Sequence, residues 1–442
     1  MAPNYSFVLL FLEILNNCLL VLSSPDLSVS SESLEQVPPS PVITLKMPTE
    51  FNFKQAKLKA EAFYKTLPET ALTEATMLVS ELINVHGYPC ETHKVTTSDG
   101  YILTMHRIPY GQNKKENREV VYLQHGLLSS SADWIISGPE KGFGYILADA
   151  GYDVWMPNVR GNRYSRSHTI LDRDDDEFWD FSWQEIGRFD VTAMIDYVLK
   201  ETKQEKLFYI GHSQGTTVFY AMCSEKPEYN EKIRAHFSLA PLAYASHITS
   251  PLLNIIAAGA SEWEIFLNMV GIKEFLPNTG FLGKVGNILC KEKSVMEVLC
   301  TNALFAIAGF DHQQMNETLL PIIMGHTPAG CSVKQLLHYG QLINSGKFQA
   351  WNYGTSGNEK FYNNTLPPTY LLSKVTSPVY LYYSKNDWVS AETDVLKLAG
   401  ELSNVQEKIL VKDGQFNHVD YLFGIDAREY VYDDVIIRMK KH

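Results

Sequence analysis

Six short apolar runs punctuate the chain, at residues 120–124, 153–157, 207–210, 236–240, 379–383 and 408–411. Longer segments with apolar positions at helical spacing separate them. Runs that stay apolar through their interior, instead of alternating, fit parallel strands buried on both faces. The pattern predicts an α/β architecture with a mostly parallel central sheet. Upstream, residues 93–98 and 101–108 loosely alternate in polarity around Asp99 and Gly100, the strongest hairpin signal in the chain. A helix is expected over 71–86, opened by Thr70 or Thr73 and ended by Gly87, Tyr88 and Pro89.

One interval breaks this alternation. Between Ala240 and Val379 lie about 140 residues with helix-like patterns and no clear strand, too many for a structureless loop. A helical cap inserted between two sheet strands accounts for them. The expected organisation is a first core segment at 51–243, a helical cap and lid at 244–372, and a second core segment at 373–442. Ahead of these, the apolar run 7–22 followed by Ser23 and Ser24 reads as a signal peptide over 1–24, although no Lys or Arg precedes it. Residues 25–50, rich in Ser, Pro and Glu, read as a flexible leader. Glu262 and Glu264 interrupt the apolar stretch 251–272, so no transmembrane segment is expected in the mature chain.

Residues 207–215 carry the most specific chemistry. An apolar strand runs directly into Gly211, His212, Ser213, Gln214 and Gly215, and 216–222 continue as a helix-forming stretch. Strand, strained turn at the serine, then helix is the context in which a Gly-x-Ser-x-Gly pentad presents a nucleophile. Gly211 and Gly215 suit it because a side chain at either would crowd the neighbouring strand or the helix start.

A serine nucleophile needs a base and a group that orients the base. On this architecture they follow as Asp and then His, each past the C-terminal end of a strand. The run 379–383 leads to Asp387, and the run 408–411 leads to His418. His418 is expected to take the Ser213 hydroxyl proton and return it to the leaving group, while Asp387 holds the other imidazole nitrogen. Asp394 falls within an expected helix, Asp413 precedes the His turn and His442 is terminal. His312, His326 and His338 lie in the cap interval, where structural or surface roles are the default. The tetrahedral oxyanion calls for two backbone N–H donors. Gln214 supplies one, and Leu127 is the candidate for the other, in the loop after run 120–124 where Gly126 lets the backbone approach. His125 and His212 read as structural residues flanking the site.

Composition narrows the partners. Of 442 residues, 45% are hydrophobic and 20% charged, as in an ordinary globular protein. A formal charge of −12 argues against nucleic acid and leaves no polybasic membrane anchor. Cys18 lies in the signal, leaving Cys90, Cys223, Cys290, Cys300 and Cys331, an odd set in which at least one thiol is free or paired with another chain. Cys290 and Cys300 close a short loop and are the best disulfide candidates. Asn316-Glu-Thr and Asn363-Asn-Thr are glycosylation sequons, which matter only in a secreted chain. Signal, cysteines and sequons agree on the secretory pathway. The loop 158–162 lacks the glycine spacing of a phosphate cradle, and the acidic run 172–177 lacks EF-hand spacing. No metal, cofactor or obligate protein partner is expected.

Several separated blocks add a family signal: Gly87-Tyr-Pro with Thr97-Ser-Asp-Gly-Tyr-Ile-Leu, Leu123-Gln-His-Gly-Leu-Leu, Asn158-Val-Arg-Gly-Asn, Phe178-Trp-Asp-Phe-Ser-Trp, Gly211-His-Ser-Gln-Gly, Ser345-Gly-Lys-Phe-Gln-Ala-Trp and Phe416-Asn-His-Val-Asp-Tyr. Together they resemble the animal acid lipases, the gastric and lysosomal lipases within the α/β-hydrolases. The resemblance implies an α/β-hydrolase core and a helical cap with a mobile lid. It also implies a lipid ester substrate met at a lipid–water interface. It carries the triad onto Ser213, Asp387 and His418, and the oxyanion pair onto Leu127 and Gln214. Two positions depart from the family: Ala308 stands where gastric and lysosomal members carry a further cysteine, and Cys331 is an added thiol.

Leu252, Leu253, Ile255, Ile256, Trp263, Phe266, Leu267 and Met269 make the cap interval more apolar than a solvated helix pair requires. Ordinary packing accounts for most of them, and a minority fit an acyl-chain surface. The leading reading is a secreted or lysosomal lipase that cleaves neutral lipid esters, triacylglycerols and possible sterol esters among them, through an acyl-enzyme on Ser213. The alternatives are a carboxylesterase for small soluble esters and an inactive lipid-binding protein on the same fold. Retention of all three triad residues favours an enzyme.

Overall fold

Among the described residues a nine-stranded sheet runs in the order β1-β2-β4-β3-β6-β7-β10-β11, with β5 added alongside β2. Its strands are β1 (Glu91–Thr96), β2 (Tyr101–Ile108), β3 (Val120–Gln124), β4 (Asp153–Pro157), β5 (Ser167–His168), β6 (Leu207–His212), β7 (Ile233–Leu239), β10 (Val379–Tyr383) and β11 (Val405–Leu410). The computed structural model describes residues 69–112, 118–260, 267, 272–276, 311 and 313–442. From β4 to β11 every neighbouring pair in the sheet is parallel, while β1–β2 and β2–β4 are antiparallel. The β1–β2 hairpin turns at Asp99 and Gly100, where Gly100 has φ +99°.

The buried strands explain why their sequences run apolar. On β3, Val120 and Tyr122 join one hydrophobic core while Val121 and Leu123 join another. Leu207 and Tyr209 of β6 divide from Phe208 and Ile210 in the same way. Successive side chains point to opposite faces, and both faces are covered, so every position is selected for apolar character. The last strand departs from this expectation. It begins at Val405 rather than near 408, and its side chains are largely exposed because it forms the sheet edge.

Among the described residues, the α-helices of four residues or more are α1 (Glu69–Glu74), α2 (Val79–Val85), α3 (Phe143–Asp149), α4 (Thr192–Thr202), α5 (Gln214–Glu225), α6 (Pro251–Ala258), α7 (Leu320–His326), α8 (Val333–Ser345), α9 (Gly354–Tyr362), α10 (Glu392–Glu401), α11 (Asp420–Phe423) and α12 (Asp433–Met439). The helix expected over 71–86 is two helices. Glu81 Oε2 accepts the Leu78 N–H at 2.6 Å and restarts the helix at Val79. Gly325 of α7 packs into the break, so closely that an added Cβ would fall 2.0 Å from the Ala75 oxygen.

The interval between β7 and β10 is helical in α6 to α9, but it also contains strand pairing that its sequence pattern did not indicate. Glu274–Phe275 (β8) pairs antiparallel with Cys331–Ser332 (β9), and Gln349 bridges to Thr369. α8 packs on α6 through Gly340, where an added Cβ would lie 3.2 Å from Ala260 Cβ. No helix among the described residues is long and apolar enough to cross a membrane.

Candidate active site

Ser213 occupies a one-residue turn between β6 and α5, at φ +53° and ψ −121°. A non-glycine residue held there costs about 1–3 kcal/mol and needs firm surroundings. The Ser213 N–H donates to Leu239 O at 3.0 Å, and its carbonyl accepts from Thr216 N at 2.8 Å and Thr216 Oγ1 at 2.7 Å. The flanking glycines behave as their sequence suggests. A Cβ on Gly215 would lie 2.4 Å from Gln124 O of β3, and one on Gly211 would lie 2.8 Å from Gly215 carbonyl carbon. Strand β6 and helix α5 therefore approach closely enough to lift the serine clear of the sheet edge.

Asp387 follows β10 and His418 follows β11, 31 positions later. The fold brings both to Ser213. His418 Nε2 lies 2.8 Å from Ser213 Oγ, and His418 Nδ1 lies 3.0 and 2.9 Å from the two Asp387 carboxylate oxygens. Asp387 Oδ1 also accepts from the N–H groups of Val389 at 2.8 Å and Ser390 at 2.7 Å. These bonds fix the carboxylate before the imidazole meets it. Such a relay can draw the hydroxyl proton onto Nε2 while the carboxylate stabilises the resulting cation.

The two candidate amides flank the serine. Gln214 opens α5, so its N–H has no acceptor one turn earlier in its own helix. Gly126 brings the β3 loop against the elbow: a Cβ there would sit 3.2 Å from Ser213 Cβ. Leu127 is the next residue, half-buried against the core.

Two histidines read as flanking residues prove to hold backbone at the site. His125 Nδ1 donates to Gly126 O at 2.8 Å, and its Nε2 accepts from Val159 N at 3.2 Å and Asn162 Nδ2 at 3.3 Å. Burial pushes its pKa down to about 4, so the ring is neutral and braces the loop. His212 Nε2 donates to His418 O at 2.8 Å, and burial, aided by the neighbouring His418 ring, lowers its pKa to about 3. The loop 158–162, which lacks the glycine spacing of a phosphate cradle, thus reaches the site through Asn162. Within it, fully buried Arg160 pairs with Asp99 at 2.7 Å and Asp190 at 2.6 Å, beneath the Tyr101 ring.

The competing residues lie elsewhere. Asp394 holds His247, Asp413 accepts from Gln314 and Gln415, and His442 meets Tyr380. His326 bonds Glu74 O, and His338 stacks on Trp183 while reaching Ser182 and Gln349. His312, Cys290 and Cys300 lie outside the described residues. Cys223 and Cys331 are buried free thiols and Cys90 is a half-buried one. Asn316 and Asn363 are exposed.

A parallel sheet with a serine elbow, and with Asp and His on later strand ends, defines an α/β-hydrolase. The sequence matches the family description "Partial alpha/beta-hydrolase lipase region" over residues 79–138 and "alpha/beta hydrolase fold" over 119–267. A solved structure from Sulfolobus solfataricus shares the fold, with a TM-score of 0.52 at 14% identity over 80% of this chain and 94% of that one. Curated relatives are far nearer. Lipase 3 of Drosophila melanogaster is 46% identical over 82% of this chain and 92% of its own length. Gastric triacylglycerol lipase of Rattus norvegicus is 42% identical (83% and 92%), and lysosomal acid lipase/cholesteryl ester hydrolase of Homo sapiens 38% (84% and 92%). The chain belongs to this family of gastric and lysosomal acid lipases, and it is a carboxylic ester hydrolase.

Proposed function

We propose that the chain hydrolyses neutral lipid esters, triacylglycerols foremost and sterol esters among them, through an acyl-enzyme on Ser213. Ser213 Oγ attacks the ester carbonyl as His418 Nε2 takes its proton, and the Leu127 and Gln214 amides receive the oxyanion. Collapse expels the alcohol, which takes the proton back from His418. Water, deprotonated by the same imidazole, then releases the fatty acid. The observation that carries this reading is the unbroken run of contacts from Ser213 Oγ through His418 to Asp387, at 2.8 and 2.9 Å.

The substrate class rests on kinship with lipases whose names specify triacylglycerol and cholesteryl ester. The same kinship, with the signal-like run 7–22, supports entry into the secretory pathway and action outside the cell or in the lysosome. The segment 244–372 is read as the cap over the site and the surface that meets lipid. Exposed Asn316 and Asn363 suit glycan attachment, and Cys290–Cys300 is kept as the proposed disulfide.

Rates on emulsified long-chain triacylglycerol and on a dissolved short-chain ester test the substrate class. Higher turnover of the emulsion, abolished in Ser213→Ala, is expected. A marked preference for the dissolved ester makes the protein a soluble-substrate carboxylesterase instead.

A further inference from the structure

Helix α8 lies in the interval between β7 and β10, more than 100 positions downstream of the elbow, yet it bonds directly to the residue after Ser213. Gln214 Nε2 donates to Gln335 Oε1 at 2.8 Å, and both side chains are buried, at 2% and 1% exposure. Gln335 Nε2 in turn donates to Ser332 Oγ at 3.4 Å, and Ser332 Oγ donates to Phe181 O. Ser332 also caps α8, accepting the Gln335 N–H at 3.3 Å.

The direction of this chain is fixed from its far end. Ser332 has one hydroxyl proton and gives it to a carbonyl, which can only accept. Ser332 Oγ is therefore an acceptor towards Gln335, which must present its NH2 to Ser332 and its oxygen to Gln214. Gln214 must then present its own NH2 to Gln335. No rotation of either amide improves the set, so the Gln214 side chain has one well-defined seat.

That seat bears on the oxyanion site. The peptide joining Ser213 to Gln214 carries the proposed oxyanion N–H. Its carbonyl end is tied by Thr216, while its Cα end is tied through the Gln214 side chain by Gln335. The elbow is a strained conformation that persists only where its surroundings over-determine it, so each tie helps to hold it. A second contact between α8 and α5, from Tyr339 to Thr217 Oγ1 at 3.0 Å, joins the same helices without touching Gln214.

Building on the acyl-enzyme reading above, we propose that Gln335 is a positioning residue. Through the buried Gln214 amide, it fixes the Gln214 backbone N–H towards the oxyanion, coupling helix α8 to the chemical step. Because the contact bears on the oxyanion donor, the effect is expected on kcat.

The test measures kcat and KM on a dissolved short-chain ester, with thermal unfolding alongside, for Gln335→Leu, Gln335→Glu and Tyr339→Phe. Gln335→Leu keeps the volume and removes the acceptor; kcat is expected to fall about tenfold with KM within about twofold. At acidic pH the neutral Gln335→Glu side chain offers a carbonyl to Gln214 and an O–H to Ser332, so it is expected to restore kcat. Tyr339→Phe is expected to leave kcat within about twofold. Should Gln335→Leu not fold, Gln335→Met makes the same removal. The proposal is overturned by an unchanged kcat in the Leu or Met variant, by a loss confined to KM, by no recovery with Glu, or by an equal loss with Tyr339→Phe. Ser213→Ala in the same assay separates the two levels: if it stays active, the acyl-enzyme reading itself is wrong.

Discussion

His212 Nε2 donates to the carbonyl oxygen of His418 across 2.8 Å, so the residue before the proposed nucleophile holds the backbone of the proposed base. The two rings also lie with centroids 4.9 Å apart. With its pKa lowered to about 3 by burial, His212 is neutral above that pH and adds no titration of its own there. Replacing it with Leu removes the donor and frees the His418 turn. We expect kcat to fall about tenfold, with the net bond contributing only about 1 kcal/mol to stability. Steady-state kinetics beside a denaturant melt check this, and an unchanged kcat in the folded variant would contradict it.

Gly126→Ala tests the approach of the oxyanion loop. The new methyl would sit 3.2 Å from Ser213 Cβ and 3.3 Å from His212 Nδ1, so the loop or the elbow must give by a few tenths of an ångström. Activity is expected to drop about 10- to 100-fold while the fold survives. Near-normal kcat with an unchanged melting temperature would show that Gly126 serves no close approach.

These contacts mark what the sequence could convey. The proposed triad positions Ser213, Asp387 and His418 stand out in the sequence because strand ends and chain order constrain each of them. The parallel strands were legible because burial on two faces demands apolar runs. The edge strand β11 was misjudged in burial and start because an edge position is a property of the whole sheet. The break between α1 and α2 escaped because it depends on the Glu81 cap and on packing by distant Gly325. The contacts of His125 with Val159 N, His212 with His418 O and Gln335 with Gln214 are tertiary, and no local spacing announces them.

Asp420, two residues beyond His418, gives a pH prediction. Burial, with lesser repulsion from Asp311, Asp413 and Asp387, raises its pKa to about 8 from an ordinary 3.8. Between about pH 4 and 8 the folded chain therefore holds a proton that the unfolded chain has lost. Its contribution is most favourable below the unfolded value and is lost as pH rises towards 8. Asp420→Asn keeps an oxygen for the Asn417 N–H, which Asp420 Oδ2 accepts at 2.6 Å, and removes the titration. The melting temperature of the variant relative to the parent should climb from pH 4 to pH 8. Parallel curves would refute the assignment.

Arg160 predicts a loss of stability. Its guanidinium serves both Asp99 and Asp190, and Asp190 is pushed up to about 6 even when paired, because burial outweighs the attraction. Arg160→Met leaves a buried carboxylate without its cation, expected to cost about 3–5 kcal/mol. Without the cation Asp190 titrates higher still, so the deficit should widen above pH 6. Urea melts at pH 5 and pH 8 measure it, and a pH-independent deficit would argue for lost packing alone.

Site-resolved covalent labelling with a fluorophosphonate, read by peptide mass spectrometry, tests the proposed Ser213 nucleophile most directly. One phosphonylated residue, Ser213, is expected, with labelling and ester hydrolysis both lost in Ser213→Ala. Labelling at another residue, or full hydrolysis by the alanine variant, would contradict it.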